Sequence, residues 1–436
     1  MDRRPPRFSL IRVAIGLLIS VGWLSVAGPP AIGAGADLEK ATASASSTHP
    51  GANPAGPLDG DRFSLEAASA WRGEEGRAPW IWELKFPKSR RIGAILQIVG
   101  DDAEVLQNAP KRAVWQVGDG ATWTDLEETR VDRETRMFRL HRLEKAVEAR
   151  ALRLVIDEAL GEAPTLREIE VYDEPRAKVE FPDWIASVGT FDGVGALQET
   201  SRFVALVRQC DGWSGATAQR LWKGDFDRSF VETEPRPLCA FLTGNIRDWC
   251  EQDRGPWRGI GEVLKARSLP IWGSCGGAQG LAILEDRGAD LPWDCPRCRD
   301  PENPLLPIYT HIGHTGPAPC GDYSRNLAER GATNLRIEAE DPVLGGLPAQ
   351  FQSMESHVGQ IAYPPKGWTR LVTAGEGAKT LNQLLRVDGY PIYAAQFHIE
   401  MEGTPDSSRR LMTNFLSEAK TWRERATPGA SAKPIP

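Results

Sequence analysis

Cysteine is absent from the first 209 residues; all seven lie between Cys210 and Cys320. Any disulfide or metal–thiolate chemistry therefore belongs to the C-terminal part. No long basic run follows the N-terminus and the net charge is −7, which argues against nucleic acid as a partner. Beyond residue 36 no apolar run is long enough to cross a bilayer. There is no internal repeat, no nucleotide-binding loop and no recognisable synthetase segment. What remains is ordinary globular composition, 41% hydrophobic and 25% charged over 436 residues, with length for two or three domains and a sizeable core.

The start of the chain sets an expectation for compartment. Arg3, Arg4, Arg7 and Arg12 are followed by an uncharged apolar stretch, residues 13–27, and by Ala34-Gly35-Ala36 before Asp37. This is the pattern of a secretory signal peptide over residues 1–36. An uncleaved anchor is the alternative, although the stretch is short for a bilayer span and Pro29-Pro30 closes it. Pro5-Pro6 after Arg3-Arg4 departs from a twin-arginine signal. The expected location is secreted or periplasmic, with no membrane contact after cleavage. In that setting Cys210, Cys239, Cys250, Cys295, Cys298 and Cys320 can form three disulfides, leaving Cys275 free. Cys295-Pro-Arg-Cys298 with His311, His314 and Cys320 is also an untidy zinc-like set, disfavoured by an oxidising compartment.

Two regions follow the leader. Residues 37–174 carry short alternating or apolar runs (80–86, 92–99, 113–117, 151–156, 168–172) separated by turn residues such as Gly118-Asp-Gly120, and predict an all-β sandwich. Residues 175–182 read as a linker. Residues 183–423 alternate strand and helix: strands at 184–188, 238–242 and 269–272, helices at 201–209 and 257–267. That pattern predicts a parallel, doubly wound α/β sheet with its site at the carboxyl ends of the strands. A Cys-rich loop at 287–323 interrupts it, and residues 424–436 form a Pro/Ala tail expected to be disordered.

The chemistry centres on Gly273-Ser-Cys275-Gly-Gly-Ala-Gln279. An apolar strand stops at small residues and a helix-favouring run follows, which makes a nucleophile elbow. The amide of Gly276, opening the helix, is placed to stabilise an oxyanion. A cysteine nucleophile needs a base, and the base an orienting group. Gln396-Phe-His398-Ile-Glu400 supplies both, because alternate residues of a strand share a face. A lone cysteine between glycines is more often a packed small residue; the His–x–Glu pair tips the balance toward catalysis.

These two elements resemble a class I glutamine amidotransferase. The Gly-x-Cys-x-Gly-x-Gln elbow matches throughout, and the Gln-Phe-His-Pro-Glu element matches except for Ile399 in place of proline. Residues 409–416 resemble the closing helix of that family. The resemblance spans about residues 184–420. It implies a flavodoxin-like fold and a Cys275–His398–Glu400 triad. It further implies an oxyanion donor at Gly244, where Thr243-Gly-Asn245 replaces Gly-Gly-Pro, and substrate contacts by Gln279 and by His357 of Glu355-Ser-His357. No catalytic metal is implied.

The first region resembles a discoidin, or coagulation-factor type C, domain with a galactose-binding-like jelly roll. The resemblance rests on 53–60 (Asn-Pro-Ala-Gly-Pro-Leu-Asp-Gly), Ala70-Trp71, 80–84, 117–123, 150–155 and 166–172, in that order. It implies a glycan or cell-surface ligand held by loops at one end, and a structural calcium near Asp59-Gly60. Trp71, Trp80, Trp82, Trp115 and Trp123 are expected to be core, with one or two at most reaching a ligand.

The expected function is an exported thiol amide hydrolase acting on a small amide or γ-glutamyl compound, a glutaminase, amidase or γ-glutamyl hydrolase, with a surface-binding module. The alternative is a catalytically silent binding or scaffold protein.

Overall fold

The computed structural model describes residues 41–192, 196–245, 247–291, 293, 308–313, 327–376 and 379–426. The expected signal peptide, Cys295, Cys298, His314, Cys320 and residues 427–436 of the expected tail lie outside them, while 424–426, expected to be disordered, continue the last helix.

The N-terminal region is built from β1 (Thr42–Ala45), β2 (Trp71–Arg72), β3 (Trp80–Val99), β4 (Ala109–Gly118), β5 (Trp123–Asp125), β6 (Phe138–Leu160) and β7 (Thr165–Tyr172). Their order is β2-β7-β3-β6-β4-β5, with β1 on β3, and every pairing is antiparallel. β3 and β6 are long because each turns a corner: their shared register slips between Lys85 and Arg90 and again between Ile92 and Ala94. Such bulges bend a strand so that one ribbon serves two faces. Trp71, Trp80, Trp82 and Trp115 fill the core, and the indoles of Trp82 and Trp115 meet edge-on at 6.2 Å. Trp123 stays half-buried, with the Arg153 guanidinium 4.1 Å from its ring.

The second region runs β8 (Trp184–Gly189), α1 (Ala196–Arg208), β9 (Thr217–Trp222), α2 (Arg228–Glu232), β10 (Cys239–Leu242), α3 (Arg258–Ala266), β11 (Ile271–Ser274) and α4 (Gly276–Arg287). Then come β12 (Tyr309–His311), β13 (Glu329–Ile337), β14 (Gln350–His357), β15 (Gly359–Ile361), β16 (Trp368–Ala374), β17 (Leu384–Val387), β18 (Ile392–Ala395) and α5 (Asp406–Ala426). Nine strands form one sheet in the order β14-β13-β16-β17-β18-β11-β10-β8-β9. The expected all-parallel sheet is corrected here. β18, β11, β10, β8 and β9 are parallel, but β17, β16, β13 and β14 add an antiparallel half. Central parallel strands are buried end to end, as strands covered by helices on both faces must be. α1 and α5 pack on one side with Phe203, Phe241 and Phe415; α3 and α4 pack on the other with Ile260, Val263 and Leu281.

Residues 175–182 join the two regions with alternate residues exposed, and Phe181 packs between them. Phe181 lies 5.1 Å from Phe138 of β6 and 6.1 Å from Phe63, and Phe138 lies 5.2 Å from Trp184 at the head of β8. Ile98, Met137 and Phe138 of the sandwich belong to the same apolar cluster as Val188, Phe226 and Ile260. Polar contacts close the seam. Gln219 accepts from the Met137 amide at 3.0 Å and donates to the Thr135 carbonyl at 2.6 Å, while Glu104 pairs with Arg208 at 2.6 Å and with Arg220 at 3.2 Å.

The expected framework of three disulfides does not hold. Cys210 and Cys239 are buried free thiols, Cys210 against α5 and Cys239 inside β10. Cys250 is disulfide-bonded, and its partner lies outside the described residues. Among the described residues no helix is long and apolar enough to cross a membrane.

Candidate active site

Three neighbouring parallel strands end together. Register pairs Leu242 with Gly273 and Ser274 with Ala395, so Gly244, Cys275 and the segment from Gln396 emerge at one edge of the sheet. Cys275 caps α4 with φ 50° and ψ −110°, a positive-φ backbone that a non-glycine residue rarely adopts. Its amide donates to the Ala395 carbonyl at 2.7 Å, which ties the elbow to β18. Small neighbours are required on steric grounds. A Cβ at Gly276 would lie 2.4 Å from the Asn245 amide nitrogen, and one at Gly277 2.6 Å from the Leu242 carbonyl oxygen. We expect Gly276→Ala to push this loop away from the thiol. It should cost about 1–3 kcal/mol in thermal unfolding and about a hundredfold in turnover.

His398 and Glu400 lie in the bends after β18, not on a strand as expected. A single antiparallel bridge to Met354 of β14 fixes the segment, with the His398 amide donating to the Met354 carbonyl at 2.8 Å. His398 Nδ1 and Glu400 Oε1 are 2.6 Å apart, and Ser274 Oγ donates to the other Glu400 oxygen at 3.0 Å. Trp272 Nε1 in turn donates to Ser274 Oγ at 3.2 Å. No sequence pattern marks this relay, because tryptophan and serine in a strand read as packing. Ile399, where the amidotransferase pattern has proline, is fully buried in the α1/α5 cluster.

Gly244 brings the three segments into contact. A Cβ there would lie 3.2 Å from His398 Cε1 and 3.7 Å from Cys275 Cβ. Burial pulls the His398 pKa down, but the Glu400 carboxylate and the adjacent Cys275 thiol outweigh it and hold it well above its usual value. Burial pushes Glu400 up, yet the charge on His398 holds it below the ordinary carboxyl range. His398 Nε2 makes no aligned hydrogen bond, and Cys275 Sγ lies 3.8 Å from the Ser356 carbonyl oxygen.

The loop after β10 is braced by residues with no sequence signal. Thr190 Oγ1 donates to the carbonyls of Gly244 (2.5 Å) and Thr243 (3.1 Å). Lys223, wholly buried, donates to the Thr190 carbonyl at 2.9 Å and pairs with Asp192 at 2.7 Å. We expect Lys223→Met, which keeps the stem and deletes the charge, to loosen this loop. Turnover should fall about tenfold in a steady-state assay if the loop positions a reacting oxygen.

The Gln279 amide is held within the protein. Its Nε2 donates to the Gly359 carbonyl (3.0 Å) and to Gln396 Oε1 (3.2 Å), and its Oε1 accepts from Trp249 Nε1 (3.1 Å). These bonds make Gln279 a brace between α4 and β15. His357 is buried in β14, with Nδ1 2.9 Å from the Gly359 carbonyl oxygen and Nε2 facing Glu355 and Glu329. Burial opposes its charge, but the two carboxylates raise its pKa to about 10. His311, expected as a loop residue, is buried in β12 with Nε2 3.2 Å from Asp248.

No family model matches the sequence. A solved structure from Thermoplasma acidophilum, described as one chain of GMP synthase, aligns over 56% of this chain and 98% of its own, with 20% identity and a TM-score of 0.39. A family 32 carbohydrate-binding module of Clostridium perfringens NanJ, solved with galactose, aligns over 31% of this chain and 95% of its own, with 13% identity and a TM-score of 0.27. The chain spans roughly half to two-thirds of the length of the curated relatives it matches. Among them, it is 32% identical over 91 residues (21% of this chain, 46% of the relative) to the glutamine-hydrolysing GMP synthase chain of Sulfolobus acidocaldarius.

Proposed function

We propose that the chain is an exported thiol amide hydrolase of the class I glutamine amidotransferase type, acting on a small carboxamide or γ-glutamyl compound. Cys275 sulfur bonds to the carbonyl carbon, and its proton resides on His398. The tetrahedral oxyanion is held by the backbone amides of Gly276 and Gly244. His398 gives the proton to the leaving nitrogen, the C–N bond breaks, and ammonia or an amine departs from a thioester. Water then attacks as His398 takes its proton; the C–S bond breaks and a carboxylate leaves. Glu400 keeps the imidazole oriented throughout. His357 lines the substrate side through its strand.

The observation that carries this reading is the 2.6 Å His398–Glu400 contact beside a strained Cys275. The activity in the name of the GMP synthase relatives, glutamine hydrolysis, agrees with it. Hydrolysis is favoured over ammonia transfer because the ATP that drives such transfers is scarce outside the cytoplasm. Export is supported by the N-terminal pattern and by the disulfide at Cys250. The test is labelling of the purified chain with a glutamine-analogue electrophile, followed by peptide mapping. Modification confined to Cys275 supports the proposal; an unmodified Cys275 overturns it.

A second reading, a silent binding protein, is favoured by the unaligned His398 Nε2. Binding on a glycan array without any thiol reactivity would support it. In either case the sandwich is proposed to hold a glycan or surface ligand. A cavity of about 200 Å3 there is lined by His49, Arg72, Asp101 and Arg167, and two guanidinium nitrogens of the buried Arg167 have no partner. The calcium implied near Asp59 has a second oxygen group beside it: Glu168 Oε2 is buried without a partner, and burial with the nearby Glu170 and Asp59 carboxylates pushes the Glu168 pKa up to about 9, a shift that a bound cation would reverse. Calcium should raise, and a chelator lower, the unfolding temperature.

A further inference from the structure

β13 and β14 form the outer antiparallel pair of the sheet, and their register sets Glu329 directly opposite His357. Alternation along β14 puts Ser353, Glu355 and His357 on the buried face. Glu329, Glu355 and His357 therefore meet in the interior, each at most 7% exposed. His357 Nε2 is 3.1 Å from Glu329 Oε2 and 2.9 Å from Glu355 Oε2, and the potential donor atoms all lie within 4.8 Å of one another. Two carboxyl groups brought this close need a positive charge between them, which a protonated His357 supplies and a bound metal ion could supply in its place.

A protonated His357 leaves part of the group unsatisfied. Nε2 is close to both carboxylates but aligned as a hydrogen bond with neither, and Glu355 Oε1 is buried with no partner. The outward-facing atoms of the group are, by contrast, tied down. Nδ1 of His357 is 2.9 Å from the Gly359 carbonyl oxygen, which keeps a proton on Nδ1 and makes Nε2 the atom that would ligate a metal once its own proton is displaced. The amides of Lys379 and Thr380 donate to Glu329 Oε1, which leaves Oε2 turned inward. This is how outer hydrogen bonds orient metal ligands. Around a tetrahedral ion with bonds of about 2.0–2.1 Å, ligand atoms sit roughly 3.3 Å apart, a few tenths of an ångström more than the spacings here.

From this geometry we propose that Glu329, Glu355 and His357 bind a divalent first-row transition metal, zinc being the expected ion. One imidazole and two carboxylates are a borderline nitrogen–oxygen set that suits zinc, and three ligands leave a fourth position for water. The site adjoins the thiol without including it: Ser356, between two of the ligands, presents the carbonyl 3.8 Å from Cys275 Sγ.

The test uses the full chain, stripped with a chelator and titrated with cobalt(II), then zinc(II). One equivalent of cobalt should bind with visible d–d absorption and no thiolate charge-transfer band. Cys275→Ser should bind identically, which separates this proposal from the hydrolase reading. His357→Gln and Glu355→Gln should each weaken binding at least about a hundredfold. Zinc should raise the unfolding temperature of the unmutated chain and of Cys275→Ser, a readout that does not depend on the ligand variants folding. Absence of stoichiometric binding, a charge-transfer band from cysteine ligands, or unchanged affinity in both ligand variants would overturn the assignment.

Discussion

Cys275→Ser should abolish amide hydrolysis, with a loss of at least about a thousandfold, while the unfolding temperature stays within about two degrees. Two physical facts support so lopsided an outcome. Serine is only slightly smaller than cysteine, so the elbow packs nearly as before. The alcohol proton, however, is held far more tightly than that of a thiol, and His398 cannot remove it as readily. Triad members act as a unit, so the loss should approach that of deleting the whole set. The measurement is single-turnover release of ammonia from a carboxamide, with melting followed in parallel. Near-normal ammonia release by the serine variant would remove Cys275 from the reaction altogether.

The next largest effect is expected from Glu400→Gln, a fall of about a hundredfold to ten-thousandfold in turnover. Its diagnostic is pH dependence. Glu400 is a principal reason that the His398 pKa sits well above its ordinary value. Without that charge the imidazole gives up its proton at lower pH. The alkaline limb of hydrolysis, where His398 must still deliver a proton to the leaving nitrogen, should move down. If that limb stayed in place while turnover fell, Glu400 would be a packing residue and the orienting role would fail.

How much of this was legible in the sequence depends on distance along the chain. The turn at Cys275 is written in a few consecutive residues, and the 2.6 Å contact of His398 with Glu400 spans a single intervening one. A bend pinned to Met354, not the expected strand, holds that pair. The braces were illegible because they join distant segments. Lys223, Thr190 and Asp192 reach Gly244 from elsewhere in the region, and each alone is an unremarkable polar residue. The metal group was half visible, in Glu355-Ser-His357; Glu329 joins it through strand register. The antiparallel half of the sheet was missed because a strand's residue pattern does not fix its direction. Cys210 and Cys239 were counted as disulfide halves because counting ignores burial on separate elements.

The seam between the two halves has a consequence for cooperativity. Ile98, Met137 and Phe138 would stand bare if the sandwich were cut free, and Trp184 and Phe226 would lose their cover. Neither half can melt without exposing part of the other's interior. Calorimetry should therefore record one endotherm, with van't Hoff and calorimetric enthalpies in agreement, where two beads on a string would give two. The halves are then inherited as one folding unit, and exchanging the sandwich for another would require that face of the sheet to be covered anew.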